Sequence, residues 1–146
     1  MRFLSEAAVF DRVKTIQTVA TGAIESDIID MAGFDAILFL VIWGAITDGT
    51  PKVKVQSGAD SGLSDAADLE GTSVAITTDD DNKMAIVDVT NVSERYVRAY
   101  VTRGGSTGAV VDAIVAIKYK AKKEPVTQSG DVAGHEKHVA PAEGTA

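Results

Sequence analysis

The sequence predicts an all-β protein: a single β-sandwich or jelly-roll-like domain with an extended C-terminal tail. Apolar and polar residues alternate in one segment after another, turn residues recur at short intervals, and helix caps are rare. Of the 146 residues, 45% are hydrophobic but only 5% aromatic, which suits a core of small aliphatic side chains. We expect the sandwich over residues 1–123, with an N-terminal arm over about 1–11, and the tail over 124–146.

The segment FDAILFLVIW, residues 34–43, is the most apolar in the chain and predicts the central strand. No charged residue occurs from Ala36 to Ile46, but a membrane helix needs about 20 apolar residues, so this segment is too short to span a bilayer. Its β-branched and aromatic residues favour a strand over a helix. We expect this strand to be buried on both faces, with Trp43 in the core. The Asp48-Gly49 pair after it is typical of a hairpin turn.

Six further segments show the two-residue period of a strand. They lie in the ranges 13–24, 51–58, 73–77, 83–89, 95–102 and 109–123. The last two are separated by the glycine-rich loop GGSTG and predict a long hairpin. Residues 24–35 are compatible with a short helical turn or with a polar strand, and residues 65–69 are compatible with one helical turn.

The charge pattern excludes some classes of partner. The net charge is −7, yet residues 95–123 hold seven basic side chains against the single Asp112. This basic stretch predicts either internal charge balance or a surface that docks onto an acidic protein, whereas an acidic chain is not expected to bind nucleic acid. The chain has no cysteine, and its first ten residues are not expected to act as a signal peptide.

The sequence lacks the residue patterns of common catalytic and metal sites. The only histidines, His135 and His138, lie in the tail, three positions apart. The zinc-protease motif requires two histidines that are four positions apart on a helix. The acidic turn DDDN lacks the spacing of a calcium loop, and RGGSTG lacks the lysine of a phosphate-binding loop. We therefore expect no enzymatic activity, no metal and no cofactor.

One strand carries the residue types that protein interfaces favour. Tyr96, Arg98 and Tyr100 alternate along residues 95–102 and therefore share one face. Tyrosine and arginine are enriched at interfaces, although an ordinary solvated face would look the same. The candidate interface residues are Tyr96, Arg98, Tyr100, Arg103, His135 and His138.

Three segments resemble a family of small virion proteins of tailed bacteriophages: IESDIIDMAGFDAILFLVIWGAITDGT, ERYVRAYVTRGG and AGHEKHVAPAEGTA. The resemblance implies a non-enzymatic capsid cement or decoration protein. Such a protein would be made in the bacterial cytoplasm and would bind the major capsid protein on the capsid surface as a homo-oligomer. A phage tail or head–tail connector protein is the first alternative, and a carbohydrate-binding module is the second. We expect the tail to be disordered in the free protein and to extend along a neighbour when bound.

Overall fold

In a computed structural model that describes residues 2–145, the chain forms two antiparallel β-sheets, so the predicted all-β sandwich is confirmed. A one-turn helix, α1 (Leu4–Ala7), precedes the strands, and a 3₁₀ turn (Thr78–Asp80) lies between the eighth and ninth. The strands are β1 (Val9–Lys14), β2 (Gln17–Ala20), β3 (Ile24–Glu25), β4 (Ile29–Asp30), β5 (Phe34–Ile46), β6 (Lys52–Gly58), β7 (Ala67–Asp68), β8 (Val74–Ala75), β9 (Met84–Thr90), β10 (Tyr96–Thr102) and β11 (Ala109–Ala121).

Each sheet has four strand positions, some of them filled by two short strands in succession. The first sheet has the order β1-β11-β5-β9, and β2 continues β1 along the same side of β11. The second has the order β3-β10-β6-β7, with β4 beside β10 and β8 beside β6. Three of the four edges therefore consist of two short strands, whereas the fourth edge, β9, is unbroken. Residues 24–35 contain two short strands, and residues 65–69 contain β7.

The core lies between the sheets and follows the two-residue period. Along β5 the inward side chains include Ile37, Phe39 and Trp43, all at most 1% exposed. They join the same core cluster as Val97 and Val101 of β10, which are fully buried. The prediction that Trp43 belongs to the core is confirmed.

The prediction that the central strand is buried on both faces is wrong. Side chains alternate between the two faces of a strand, and the second sheet covers only one of them. On the other face Leu38, Leu40 and Ile42 are only half-buried. A continuous apolar run shows that both faces are apolar, but it does not show that each has something packed against it.

Both predicted hairpins are also wrong, because the strands concerned lie in different sheets. The chain passes from β5 in the first sheet to β6 in the second, and from β10 in the second back to β11 in the first. Asp48 ties the two crossings together. Its carboxylate accepts backbone hydrogen bonds from Ser106 (2.7 Å), Thr107 (3.0 Å) and Gly108 (2.7 Å), which lower its pKa. Alternation identifies the inward residues of a strand, but it does not identify the strand's neighbours.

Candidate functional site

The outer face of β10 brings the predicted aromatic and basic residues together. Tyr96, Arg98 and Tyr100 point away from the core and are half-buried, whereas the intervening Val97 and Ala99 are fully buried. The structure therefore places three of the six candidate residues in one row, as the alternation predicted. We call this row, with the side chains that hold it, the β10 face.

Contacts with the neighbouring strands fix the centre of the β10 face. Arg98 donates to Gln56 of β6 and to Glu25 of β3, each at 2.9 Å. Its guanidinium lies 5.9 Å from the centre of the Tyr100 ring. Lys54 approaches the same ring at 5.0 Å. Tyr100 thus has one cation near it from its own strand, β10, and one from β6. These two contacts hold its ring as a preorganised contact surface.

Charge pairs flank the β10 face at both ends. Asp30 accepts two hydrogen bonds from Arg95, at 3.0 and 2.9 Å, and they lower its pKa to about 2. The same guanidinium lies 5.3 Å from the Tyr96 ring. At the other end Lys54 donates to Asp68 at 2.7 Å and lowers the pKa of that carboxyl group. Internal pairing thus uses much of the positive charge that the sequence places in this part of the chain.

Arg103 does not belong to the β10 face, although the sequence placed it among the candidate interface residues. It is only 6% exposed, and burial lowers the pKa of its guanidinium. Three backbone carbonyl groups accept hydrogen bonds from it: Gly22 (2.7 Å), Thr18 (2.7 Å) and Ala109 (3.1 Å). This arginine therefore fastens the segments around β2 to the start of β11, and a partner cannot reach its charge.

The two tail histidines also lie apart from the β10 face. Both are exposed, and His138 lies 3.4 Å from the Glu136 carboxylate. Within residues 2–145, no cluster of three or more histidine or acidic side chains could hold a metal ion. The arrangement is that of a polar surface segment.

The first part of the tail is docked against β1, which sequence reasoning missed. Gln128 accepts from the Phe10 amide (3.1 Å) and donates to the Ala8 carbonyl (2.6 Å), and Asp131 accepts from the Arg12 amide (2.9 Å). Ser129 donates to the Phe10 carbonyl at 2.7 Å. Polar side chains thus occupy backbone groups on the open side of β1. The expectation that the tail is disordered in the free protein does not hold for residues 128–131, which these hydrogen bonds hold against β1.

The outer face of the first sheet is a second surface that the sequence did not identify. Beside the half-buried Leu40 and Ile42 lie Met84 and Ile86 of β9, which are 61% and 56% exposed. An antiparallel sheet with one solvated face normally carries polar residues there. The sequence signal is the run of apolar residues at successive positions of β5, a pattern that predicts burial on both faces equally well.

Comparisons with known proteins identify a fold but no family. No protein-family model matches the chain, and no curated protein sequence matches it. One similar solved structure is described as Bacillus endospore appendages that form disulfide-linked pili. It has 15% identity and a TM-score of 0.51, and the match covers 80% of this chain and 90% of that one. Another is the PBSX exported protein XepA, with 12% identity and a TM-score of 0.55; the match covers 95% of this chain but only 46% of that one.

These likenesses show a shared sandwich fold and nothing finer, because the identities are so low. The disulfide link of the pili has no counterpart here, since this chain has no cysteine. A weaker superposition, with a TM-score of 0.42, is with a Podospora anserina mannanase that carries a CBM35 module, and it lends no support to the carbohydrate-binding alternative. In the described residues, no helix has the length and apolar character to cross a bilayer.

Proposed function

We propose that this chain is a non-enzymatic structural protein of a phage particle. In this proposal it is a capsid cement or decoration protein that binds between major capsid protein subunits as a homo-oligomer. The observation that carries the proposal is the β10 face, where Tyr96, Arg98 and Tyr100 form a contact surface held by neighbouring side chains. Such rigid aromatic and arginine residues are the usual anchors of protein interfaces.

The fold likenesses are compatible with a structural role. One neighbour forms pili and the other is an exported protein of PBSX. Three sequence segments resemble virion proteins of tailed bacteriophages, and this resemblance is the reason for proposing a phage particle. The alternative, a structural protein of the phage tail or of the head–tail connector, would use the same surfaces to bind a different virion protein.

Hydrogen bonds to basic side chains or to backbone amides stabilise the ionised form of the carboxyl groups. Six described carboxyl groups have a clearly shifted pKa, and each shift is downward: Glu6, Asp30, Asp48, Asp60, Asp68 and Asp80. A general acid near neutral pH requires a raised pKa instead. Trp43, the strongest stacking platform for a sugar, is buried. We therefore propose a structural role ahead of an enzyme or a carbohydrate-binding module.

In this proposal the C-terminal tail adds one of several weak contacts with the capsid. One small sandwich offers a modest contact area, but linking sites in an oligomer raises the effective concentration of each one. The tail is anchored through Asp131, and Lys137 forms a further ion pair with Glu6 at 3.0 Å. When this second contact opens, residues 132–145 can extend over a neighbouring subunit.

Electron microscopy of particles with and without the gene for this chain tests the proposal. We expect density between major capsid protein subunits that disappears when the gene is deleted. Density that disappears from the tail or the neck instead would support the connector alternative. Particles unchanged at every position would refute a virion role.

Two truncations then test the tail separately from the fold. Truncation after Asp131 keeps the anchoring residues Gln128 and Asp131, whereas truncation after Lys123 removes them and uncovers β1. We expect both proteins to fold, as judged by circular dichroism, and both to occupy fewer capsid sites. Full occupancy after the Asp131 truncation would show that residues 132–146 make no contact with the capsid.

A further inference from the structure

The outer face of the first sheet forms an apolar surface across its strands. The pairing registers define two rows that cross the sheet from edge to edge and a third, shorter row. The two long rows are Phe10–Ile117–Leu38–Asp88 and Arg12–Val115–Leu40–Ile86, and the short row is Ala113–Ile42–Met84. The centre of each row is aliphatic, and within these rows the charged residues, Arg12 and Asp88, lie at the two edges. Asp112 lies beyond the third row, where its carboxylate is beside Gly44. We call this surface the aliphatic face.

The rest of residues 2–145 leaves the aliphatic face uncovered. Met84 and Ile86 are more than half exposed, and the docked part of the tail runs along β1 without shielding them. The second sheet differs, because its outer face carries Lys54, Gln56 and Arg98. The exposed aliphatic residues are therefore a property of one sheet, and a contiguous apolar patch of this kind marks an interaction site.

The outer face of the first sheet, with the aliphatic face at its centre, matches one half of a stable interface. A strand rises about 3.4 Å per residue and neighbouring strands lie about 4.8 Å apart, so the five strands of this sheet span an area on the order of 700 Å², and the three aliphatic rows span about 300 Å² of it. A standard protein–protein interface buries about 800 Å² on each partner. A second sheet of the same size would cover this face completely.

Charge complementarity between Arg12 at one edge and Asp88 at the other favours a second copy of the chain as the partner. Arg12 lies on the β1 edge, and Asp88 lies on the β9 edge, where its carboxylate accepts a hydrogen bond from Tyr119 at 2.6 Å. A two-fold axis parallel to the strands places the β1 edge of one copy over the β9 edge of the other. Each Arg12 then approaches the partner's acidic edge, twice in the same interface.

We propose that two copies of this chain pack through their aliphatic faces, sheet against sheet, around such a two-fold axis. Apolar side chains from Leu38, Leu40 and Ile86 form the centre, as in the packing of two sheets within a sandwich. The proposal deepens the homo-oligomer part of the proposed function. Its test uses purified protein without capsids, so its failure would leave the capsid role standing.

Sedimentation equilibrium of the full chain, with and without Ile86→Lys, tests the proposal. We expect the native protein to form dimers and the variant to raise the dimer dissociation constant at least about tenfold, since the change occurs twice in the interface. Val139→Lys is the matched control, because Val139 is 67% exposed in the tail, and it should leave the constant unchanged. Circular dichroism checks that both variants fold.

A charge exchange tests the orientation of the two copies. Arg12→Asp and Asp88→Arg should each weaken the dimer, and the double variant should recover most of the loss. Absence of recovery would overturn the two-fold axis along the strands. A native protein that stays monomeric at 100 times the concentration used for the capsid experiments, or an Ile86→Lys variant that dimerises as well as the native protein, would overturn the proposal and leave the face to a different partner.

Discussion

Replacing Arg103 with methionine tests whether this buried arginine holds the fold or contributes to an interface. Its guanidinium donates to three backbone carbonyl groups, those of Thr18, Gly22 and Ala109. Methionine fills a similar volume but donates nothing, so these carbonyl groups lose their partner. If Arg103 is structural, the substitution should lower the stability of the isolated chain.

The magnitude follows from the three hydrogen bonds and from the cost of burial. Hydrogen bonds that involve a charged group contribute about 1.5–3 kcal/mol each. Burial of the guanidinium offsets part of this, because a charge taken out of water loses several kcal/mol of solvation. We expect the free energy of unfolding to fall by about 2–4 kcal/mol. At about 3 °C per kcal/mol for a chain of this length, Tm should fall by about 6–12 °C.

Urea unfolding followed by tryptophan fluorescence measures this change, because Trp43 is the only tryptophan and is buried. Arg95→Met is the matched control, next to the start of β10. The side chains of Arg95 and its partner Asp30 are both largely exposed, so the loss of this pair should cost less than about 1 kcal/mol. A loss below about 1 kcal/mol for Arg103→Met, or equal losses for the two variants, would refute the structural role of Arg103.

Two further predictions concern a crossing loop and a surface ion pair. Gly108→Ala should destabilise the fold more than Gly104→Ala: both glycines have positive φ, but only at Gly108 would a Cβ meet a backbone atom, the Ala20 carbonyl oxygen. Thermal unfolding of the two variants checks this, and equal Tm values would contradict it. Arg95 lowers the pKa of Asp30 from 3.8 to about 2, so the stabilisation is present above about pH 4 and is lost as the pH falls towards 2. Arg95→Gln should reduce the dependence of stability on pH in that window, and an unchanged profile would show that the pair contributes nothing.

The β10 face could be predicted from the sequence because its three residues follow one another on a single strand. The alternation of Tyr96, Arg98 and Tyr100 with Val97 and Ala99 is a local pattern that needs no knowledge of the neighbouring strands. The salt bridge from Arg98 to Glu25 could not be predicted in this way. Nor could the docking of Gln128 against β1, where the bonded groups are more than 100 positions apart.

The sequence by itself determined the class of the fold and the inward residues of the long strands. Both depend on the two-residue period of an extended backbone, which any short segment reveals. Only the tertiary structure decided that β5 and β6 belong to different sheets, that Arg103 is buried, and that one face of the central strand is uncovered. Each of these depends on which distant segments meet, as Asp48 meets Gly108 across 60 positions. A local pattern shows that a side chain is apolar or charged, but the rest of the chain decides what lies against it.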